Sequence, residues 1–186
     1  MDLWVVLLLI ALLVLFVLYL SQTAARLDRL HHRVDTSRAA VQGQFLDRAN
    51  EVLSLASSGR LDPASSVLLA DAADTALAEA RASDADFTAA RCLAESALTN
   101  ALEAAFSDAD LVTQIAHQPD GRRTLDDLGA AVQKAAWSRR FHNDAVRASQ
   151  AVRRQRLVRL FRLAGSAPLA RTIELDDEVP RGLRTR

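Results

Sequence analysis

Cysteine is almost absent from this chain of 186 residues, and proline, glycine and aromatic residues are scarce. Cys92 is the single cysteine, so no disulfide can form within the chain and an oxidising compartment is not required. The six glycines and four prolines leave few positions that would interrupt a helix. Aromatic residues make up 5% of the chain, whereas strands draw on aromatic and β-branched side chains. These scarcities predict an all-α fold.

The chain also lacks an excess of charge of either sign, with 23 basic and 23 acidic residues. This balance gives no reason to expect nucleic acid or an acidic substrate as a partner. The sequence has no glycine-rich phosphate loop, no zinc-type ligand spacing and no nucleophile elbow. We therefore expect no cofactor, no metal site and no enzymatic activity.

An unbroken apolar run of 18 residues extends from Leu3 to Leu20. As a helix it would be about 27 Å long, close to the roughly 30 Å of a bilayer's hydrocarbon core. Trp4 and Tyr19 lie near its two ends, where aromatic rings favour the headgroup level. A cleaved signal peptide needs basic residues before a shorter run, but Asp2 is the only charge there. Residues 3–20 are predicted to be a retained transmembrane helix, with Trp4 and Tyr19 at the membrane interface.

Arginines follow this run at positions 26, 29, 33 and 38. The positive-inside rule places such a flank in the cytoplasm. We predict a single-pass protein of the bacterial inner (plasma) membrane, with its N-terminus outside and its C-terminal domain in the cytoplasm.

Residues 21–165 are predicted to form one cytoplasmic helical bundle. A long first helix continues from the membrane span, and Gly59 ends it before Asp62 and Pro63 begin the next. Its apolar positions recur at helical spacing: Leu27, Leu30, Val34, Val41, Phe45, Val52 and Leu55. Long helices with short connections bury their apolar stripes by packing antiparallel.

The second helical region is expected from Pro63 to about Ser107, as one kinked helix or two in series broken at Ser83-Asp84-Ala85-Asp86. Its core candidates are Val67, Leu68, Leu77, Phe87, Leu93, Leu98, Leu102 and Phe106. A polar connection with a short helix near Leu111 to Ala116 and a turn at Pro119-Asp120-Gly121 should follow.

A third long helix is predicted to start with Thr124 as its cap, with Asp127 three residues later, and to extend to as far as Leu163. Its core candidates are Leu128, Val132, Trp137, Phe141, Val146 and Val152. Residues 166–186 then form an extended charged tail, which cannot bury enough apolar area to fold by itself.

The stretch Arg140-Phe141-His142-Asn143-Asp144-Ala145-Val146 resembles the Arg-x-Tyr-Asn-Asp-x-Val motif of the LemA family. The exit from Ala167-Pro168-Leu169 to Thr172-Ile173-Glu174 is similar to the segment that closes LemA domains. His142 replaces the usual tyrosine, and Ser149-Gln150 stand where a Tyr-Asn pair is common, which marks a divergent member. The resemblance runs from the span to about Glu178 and implies a membrane helix leading into a cytoplasmic bundle, without an established chemistry.

Several polar residues are candidate sites. His31 and His32 are adjacent on a helix and diverge by about 100°, which suits a solvated face better than a metal. In the stretch that carries the family motif, Arg140, His142, Asn143 and Asp144 are polar. The consecutive residues His142, Asn143 and Asp144 point in three directions on a helix, so a buried hydrogen-bonded cluster that sets helix register is favoured over a polar site. Cys92 lacks an identifiable base, and the pairs Asp84/Asp86 and Asp108/Asp110 lie at expected helix boundaries, where caps are wanted.

A basic face is the strongest local charge signal. Arginines at five positions alternate with apolar residues between Val152 and Leu163: Arg153, Arg154, Arg156, Arg159 and Arg162. The pattern is that of a basic amphipathic helix, for which the alternative is an ordinary bundle helix with a solvated face. Anionic lipid or an acidic protein surface would suit these arginines.

The function expected from these features is that of a non-enzymatic accessory or scaffold subunit bound to other integral membrane protein subunits. A respiratory-chain or membrane-protease assembly would be such a complex. The alternative is a self-assembling, LemA-like oligomer that organises the membrane. A third hypothesis is an enzyme that uses Cys92 or the stretch from His142 to Asp144.

Overall fold

A computed structural model describes residues 3–83, 86–107, 109–163, 165 and 168–184. Helices make up 81% of the structure, and the described residues contain no strand, so the predicted all-α fold is confirmed. The elements in chain order are α1 (Leu3–Ser57), α2 (Pro63–Ala82), α3 (Ala89–Phe106), α4 (Ala109–Ala116), α5 (Gly121–Arg153), α6 (Arg156–Leu160) and a 3-10 turn (Arg181–Leu183).

The first helix, α1, has 55 residues and is about 80 Å long at 1.5 Å per residue. Its most apolar 18-residue window has a mean hydropathy of 3.2, and no part of that window is buried within the protein. A core helix of a soluble protein would bury such a surface. By length and composition, the N-terminal part of α1 could therefore cross a membrane.

The end of α1 and the start of α2 follow the predicted signals. Gly59 adopts the left-handed conformation, with φ +71°, just after the last helical residue. Asp62 caps α2 by accepting hydrogen bonds from the backbone N–H groups of Ala64 and Ser65, and Pro63 occupies the first turn. A hydrogen bond from the side chain of Ser65, followed by the one from its backbone N–H, holds the pKa of Asp62 below its usual value.

The chain divides into two compact units. The first comprises Met1–Thr36 and Asn143–Thr172, and the second comprises Ser37–His142 and Ile173–Arg186. The first unit contains two small apolar clusters: Leu27 packs with Val152 and Val158, and Val34 packs with Ala145 and Val146. The second unit holds the larger core.

That larger core is built on the C-terminal part of α1 and on the pair α2 and α3, which pack against each other. Two separate helices thus replace the single kinked helix that was the alternative prediction. Of the predicted core residues of this region, Leu77, Leu98, Leu102 and Phe106 are buried, and Phe87 is partly buried. Val67, Leu68 and Leu93 are exposed, so the prediction was wrong for these three.

Helix α5 differs from its prediction at both ends. It starts at Gly121, so Thr124 lies within the helix and donates its hydroxyl to the carbonyl of Asp120 instead of capping it. Asp120, with φ +58°, turns the chain so tightly that a Cβ on Gly121 would overlap the carbonyl oxygen of Ile115. The helix ends at Arg153, ten residues before Leu163.

The core side of α5 was predicted correctly in part. Leu128, Val132, Val146 and Val152 are buried, but Trp137 and Phe141 are largely exposed. Helical periodicity identifies the apolar stripe of a helix. It does not show which edge of that stripe another element covers.

The C-terminal tail is extended, as predicted, but residues of it are buried. Ile173, Asp177 and Leu183 lie in the interior of the second unit. The backbone approaches the helices so closely that a Cβ on Gly129 of α5 would be 2.8 Å from the carbonyl oxygen of Leu183. One on Gly182 would be 2.6 Å from that of Phe106. The tail cannot form a core by itself, and its buried residues are instead covered by the helices.

Candidate functional site

The polar stretch of α5 that carries the family resemblance is divided between surface and interior. His142 and Asn143 are buried, whereas Arg140 and Asp144 are exposed. His142 Nδ1 is 3.0 Å from the hydroxyl of Ser37 on α1, and Asp144 accepts a hydrogen bond of 3.1 Å from Arg147. The stretch thus has two buried and two exposed members, and the contact of His142 with Ser37 favours a role in helix packing.

Cys92 is half-buried on α3, and its thiol lies 3.9 Å from the carbonyl oxygen of Phe87. Burial raises the pKa of the Cys92 thiol, which disfavours the thiolate at neutral pH. A nucleophilic cysteine needs the opposite shift. The environment of Cys92 therefore favours a packing role.

The remaining polar candidates that the structure describes do not form a metal-binding group. Asp84 and Asp108 lie outside the described residues, and Asp86 forms an ion pair with Arg38. His31 is half-buried, whereas His32 is exposed, 3.9 Å from Asp28. Within the described ranges, no group of three or more His, Cys, Asp or Glu residues could hold a metal ion.

A buried arginine and carboxylate pair, which the sequence analysis did not identify, joins α1 to α3. Arg48 Nη2 donates to Glu95 Oε2 at 2.6 Å and to the backbone carbonyl of Glu95 at 3.1 Å. Arg48 Nη1 donates to the hydroxyl of Thr99 at 3.1 Å. Desolvation raises the pKa of Glu95, while the positive charges of Arg48 and Arg91 oppose that shift.

Two aromatic rings complete the surroundings of these buried cations. The guanidinium of Arg48 lies 4.7 Å from the ring centre of Phe45, and that of Arg91 lies 4.1 Å from the ring centre of Phe87. Desolvation lowers the pKa of Arg91. A sequence signal did exist, because Arg48 occupies the apolar face of α1 at helical spacing from Phe45 and Val52.

The same polar layer fixes the tail. Thr99 donates its hydroxyl to the carbonyl of Asp176 at 2.9 Å, and the N–H of Asp176 donates to the hydroxyl of Ser96 at 3.0 Å. Arg139 of α5 binds Asp177 through two nitrogen atoms and donates to the carbonyl of Ile173 at 3.2 Å. The hydrogen bond from Arg139 to Asp177 raises the pKa of the Arg139 guanidinium. The tail is thus held by paired polar groups as well as by its apolar contacts.

The predicted basic face is not one continuous helix, because a turn at Arg154 and Gln155 separates α5 from α6. Arg153 is half-buried and donates to the carbonyl of Pro168 at 3.0 Å. The other four arginines are exposed: Arg154, Arg156, Arg159 and Arg162. In sequence they lie on both sides of two exposed apolar residues, Leu160 and Phe161.

The ring of Phe161 packs edge to face on that of Phe16, with 5.5 Å between ring centres. Phe16 belongs to the apolar run of α1, in which Trp4 and Tyr19 are both exposed. Two further exposed aromatics, Trp137 and Phe141, lie one turn apart on α5 in the second unit. The exposed apolar run, the arginine segment and this aromatic pair are the surfaces that could bind a partner.

No model of a protein family matches the sequence, and no curated protein or solved structure matches it. The resemblance to the LemA family stays a prediction.

Proposed function

We propose that this protein is a non-enzymatic, single-pass membrane protein that acts as an accessory or scaffold subunit of a larger membrane complex. The observation that carries the proposal is the apolar window of α1, which is unburied and continuous with a helix that enters a packed core. Such a helix would join a membrane to a folded domain without an intervening loop. A divergent LemA-like protein of the bacterial inner membrane would have this organisation.

The proposed orientation has the N-terminus outside and residues 21–186 in the cytoplasm. Arg26, Arg29 and Arg33 follow the apolar run on the same helix, and the positive-inside rule supports this direction. A reporter that is active only in the cytoplasm, fused after Arg186, should be active. Activity of an export-dependent reporter at the same position would reverse the topology.

A structural role is supported by the character of the polar groups. The buried ones are tied to helix packing, and the thiol of Cys92 is disfavoured as a nucleophile. The aromatic residues Trp137 and Phe141 are 49% and 64% exposed, and with the neighbouring Arg140 they have the composition of a protein-binding anchor. This pair supports a protein partner in addition to the membrane.

Purification in a mild detergent followed by native mass spectrometry tests the proposal. Defined foreign subunits in fixed ratio are expected. A homo-oligomer without foreign subunits would favour the alternative, a self-assembling membrane-organising protein. A monomer that carries a turnover activity abolished by Cys92→Ser would contradict both.

A further inference from the structure

The segment from Arg154 to Leu163, here called the tip segment, exposes apolar and basic side chains together. Val158 is buried against Leu27 and Val152, so the segment is fixed to the first unit. Leu160 is 73% exposed and Phe161 is 43% exposed. Four arginines of the segment are also exposed: Arg154, Arg156, Arg159 and Arg162.

The position of the tip segment along α1 follows from two contacts. Phe161 meets Phe16, which lies four residues, or about 6 Å of helix, inside the end of the apolar run at Leu20. Val158 packs on Leu27, which lies seven residues beyond that end. The tip segment therefore spans the boundary between the apolar run and the polar part of α1.

The residues before the tip segment bind the chain that follows it. Arg153 donates to the carbonyl of Pro168, and Gln150 donates to that of Ala170 at 2.8 Å. The chain thus leaves the end of α5 and, after the tip segment, returns to contact the last turn of the same helix. A loop closed in this way presents Leu160 and Phe161 on a fixed support.

We propose that the tip segment is an interfacial membrane anchor. Leu160 and Phe161 insert into the edge of the hydrocarbon layer beside Phe16, and Arg154, Arg156, Arg159 and Arg162 bind the phosphates of anionic lipids. The proposal rests on the membrane span of the proposed function. It adds a second attachment that sets the angle and rotation of α1 in the bilayer.

Lipid is the occupant that the contacts favour. The exposed apolar surface of Phe161 is continuous with the unburied run of α1 through its contact with Phe16, and that run faces hydrocarbon when it spans a bilayer. At the surface of an anionic leaflet, arginines can bind the lipid phosphates while the adjacent apolar side chains enter the acyl region. An acidic protein surface would match the arginines but would leave Leu160 and Phe161 without an apolar partner.

Depth-dependent fluorescence quenching tests this in the full-length protein reconstituted into bilayers. Cys92 is first replaced by serine, and a polarity-sensitive fluorophore is attached at Leu160→Cys. Lipids with a quencher near the top of the acyl chain should quench it strongly. Arg147→Cys is the control, because Arg147 is exposed on α5 of the same unit, next to the cluster that contacts Val34, about 20 Å of helix beyond Leu20. The label at position 147 should not be quenched.

A third label at Leu12→Cys separates failure of the anchor from failure of the span. If position 12 is quenched by deep probes and position 160 is not, the anchor is wrong and the proposed function stands. If neither is quenched, both are wrong. If position 160 becomes shielded only when a co-purified protein is present, the surface binds protein and the lipid anchor is rejected.

The arginines are tested by replacing Arg154, Arg156, Arg159 and Arg162 with glutamine. The docked fraction of the tip segment, read from quenching at position 160, should fall in bilayers of phosphatidylcholine and phosphatidylglycerol. The docking equilibrium should weaken about fivefold for each arginine removed at low salt. In pure phosphatidylcholine the parent and the variant should be alike. Equal quenching of the two in the anionic bilayer would overturn the role of the arginines.

Discussion

Arg48 and Glu95 form an ion pair of 2.6 Å between α1 and α3, with 1% and 2% of their side chains exposed. The sequence separation of 47 residues means that this pair exists only when the second unit is folded. Removing two charges from water costs free energy, and their mutual attraction offsets that cost only in part. The main effect on stability therefore appears when one charge is removed and the other is left buried without a partner.

Removing one member of this pair should destabilise the protein strongly. Arg48→Met leaves the carboxylate of Glu95 buried without its partner, and a loss of about 3–5 kcal/mol is expected in urea unfolding of the detergent-solubilised protein. The double change Arg48→Met with Glu95→Leu should recover most of that loss. Asp144→Asn, at an exposed pair with Arg147, is the control and should change stability by less than about 0.5 kcal/mol. A single-variant loss as small as this control would show that the pair is not buried in solution.

The pairing of Arg139 with Asp177 predicts that the tail contributes to stability. Asp177→Asn removes one oxygen acceptor and the charge from a nearly buried bidentate contact, and should cost about 2 kcal/mol. Glu178→Gln is the neighbouring control, because its pair with Arg184 is exposed. Faster hydrogen exchange near Thr99 in Asp177→Asn, but not in Glu178→Gln, would report release of the tail. Identical exchange in both variants would contradict this role.

Two glycines give a matched pair for testing the turn before α5. Gly121→Ala places a Cβ onto the carbonyl of Ile115 and should destabilise by about 1–3 kcal/mol as the turn shifts. Gly43→Ala, in the middle of α1, meets nothing within 4 Å and should stabilise by about 0.5–1 kcal/mol. The measurement is the unfolding midpoint of each variant. A neutral Gly121→Ala would mean that α5 begins elsewhere.

Cys92 should behave as a slow thiol. Because burial raises its pKa, the thiolate fraction at pH 7–8 lies below that of a free cysteine, and this fraction grows only at higher pH. Alkylation by iodoacetamide at pH 7.5 should be several-fold slower than that of a small thiol peptide, and its pH profile should be displaced upward. Cys92→Ala should leave function intact. Rapid alkylation with loss of function would revive the enzyme hypothesis.

The exposed aromatic pair predicts a partner contact that does not depend on lipid. Trp137→Ser with Phe141→Ser should lower recovery of the co-purified complex at least tenfold while leaving thermal unfolding nearly unchanged, because both side chains are exposed. Leu93→Ser, at another exposed apolar residue of the same unit, is the control and should keep the complex. Full recovery of the complex with the double variant would exclude this surface.

Local signals in the sequence determined the helical fold and several of the positions where helices begin and end. The scarcity of proline and glycine, the apolar run and the spacing from Leu27 to Leu55 predicted α1, and Gly59, Asp62 and Pro63 predicted the break after it. These features depend on hydrogen bonds and backbone conformations of residues close in sequence, so they can be predicted without the tertiary structure. The exposed arginines of the basic face were likewise visible in the sequence.

Only the tertiary structure decided which polar and aromatic residues are inside. Charge alone predicts that Arg48, Glu95 and Asp177 are exposed, and only the position of Arg48 on an apolar face suggested otherwise. Each is buried in an ion pair with a partner distant in sequence. Trp137 and Phe141 have core spacing and remain exposed, since no element covers that edge of α5 in the described structure. Likewise, the contact of Phe161 with Phe16 joins residues 145 positions apart, and no local pattern encodes a pairing that depends on where α5 ends and the chain turns back.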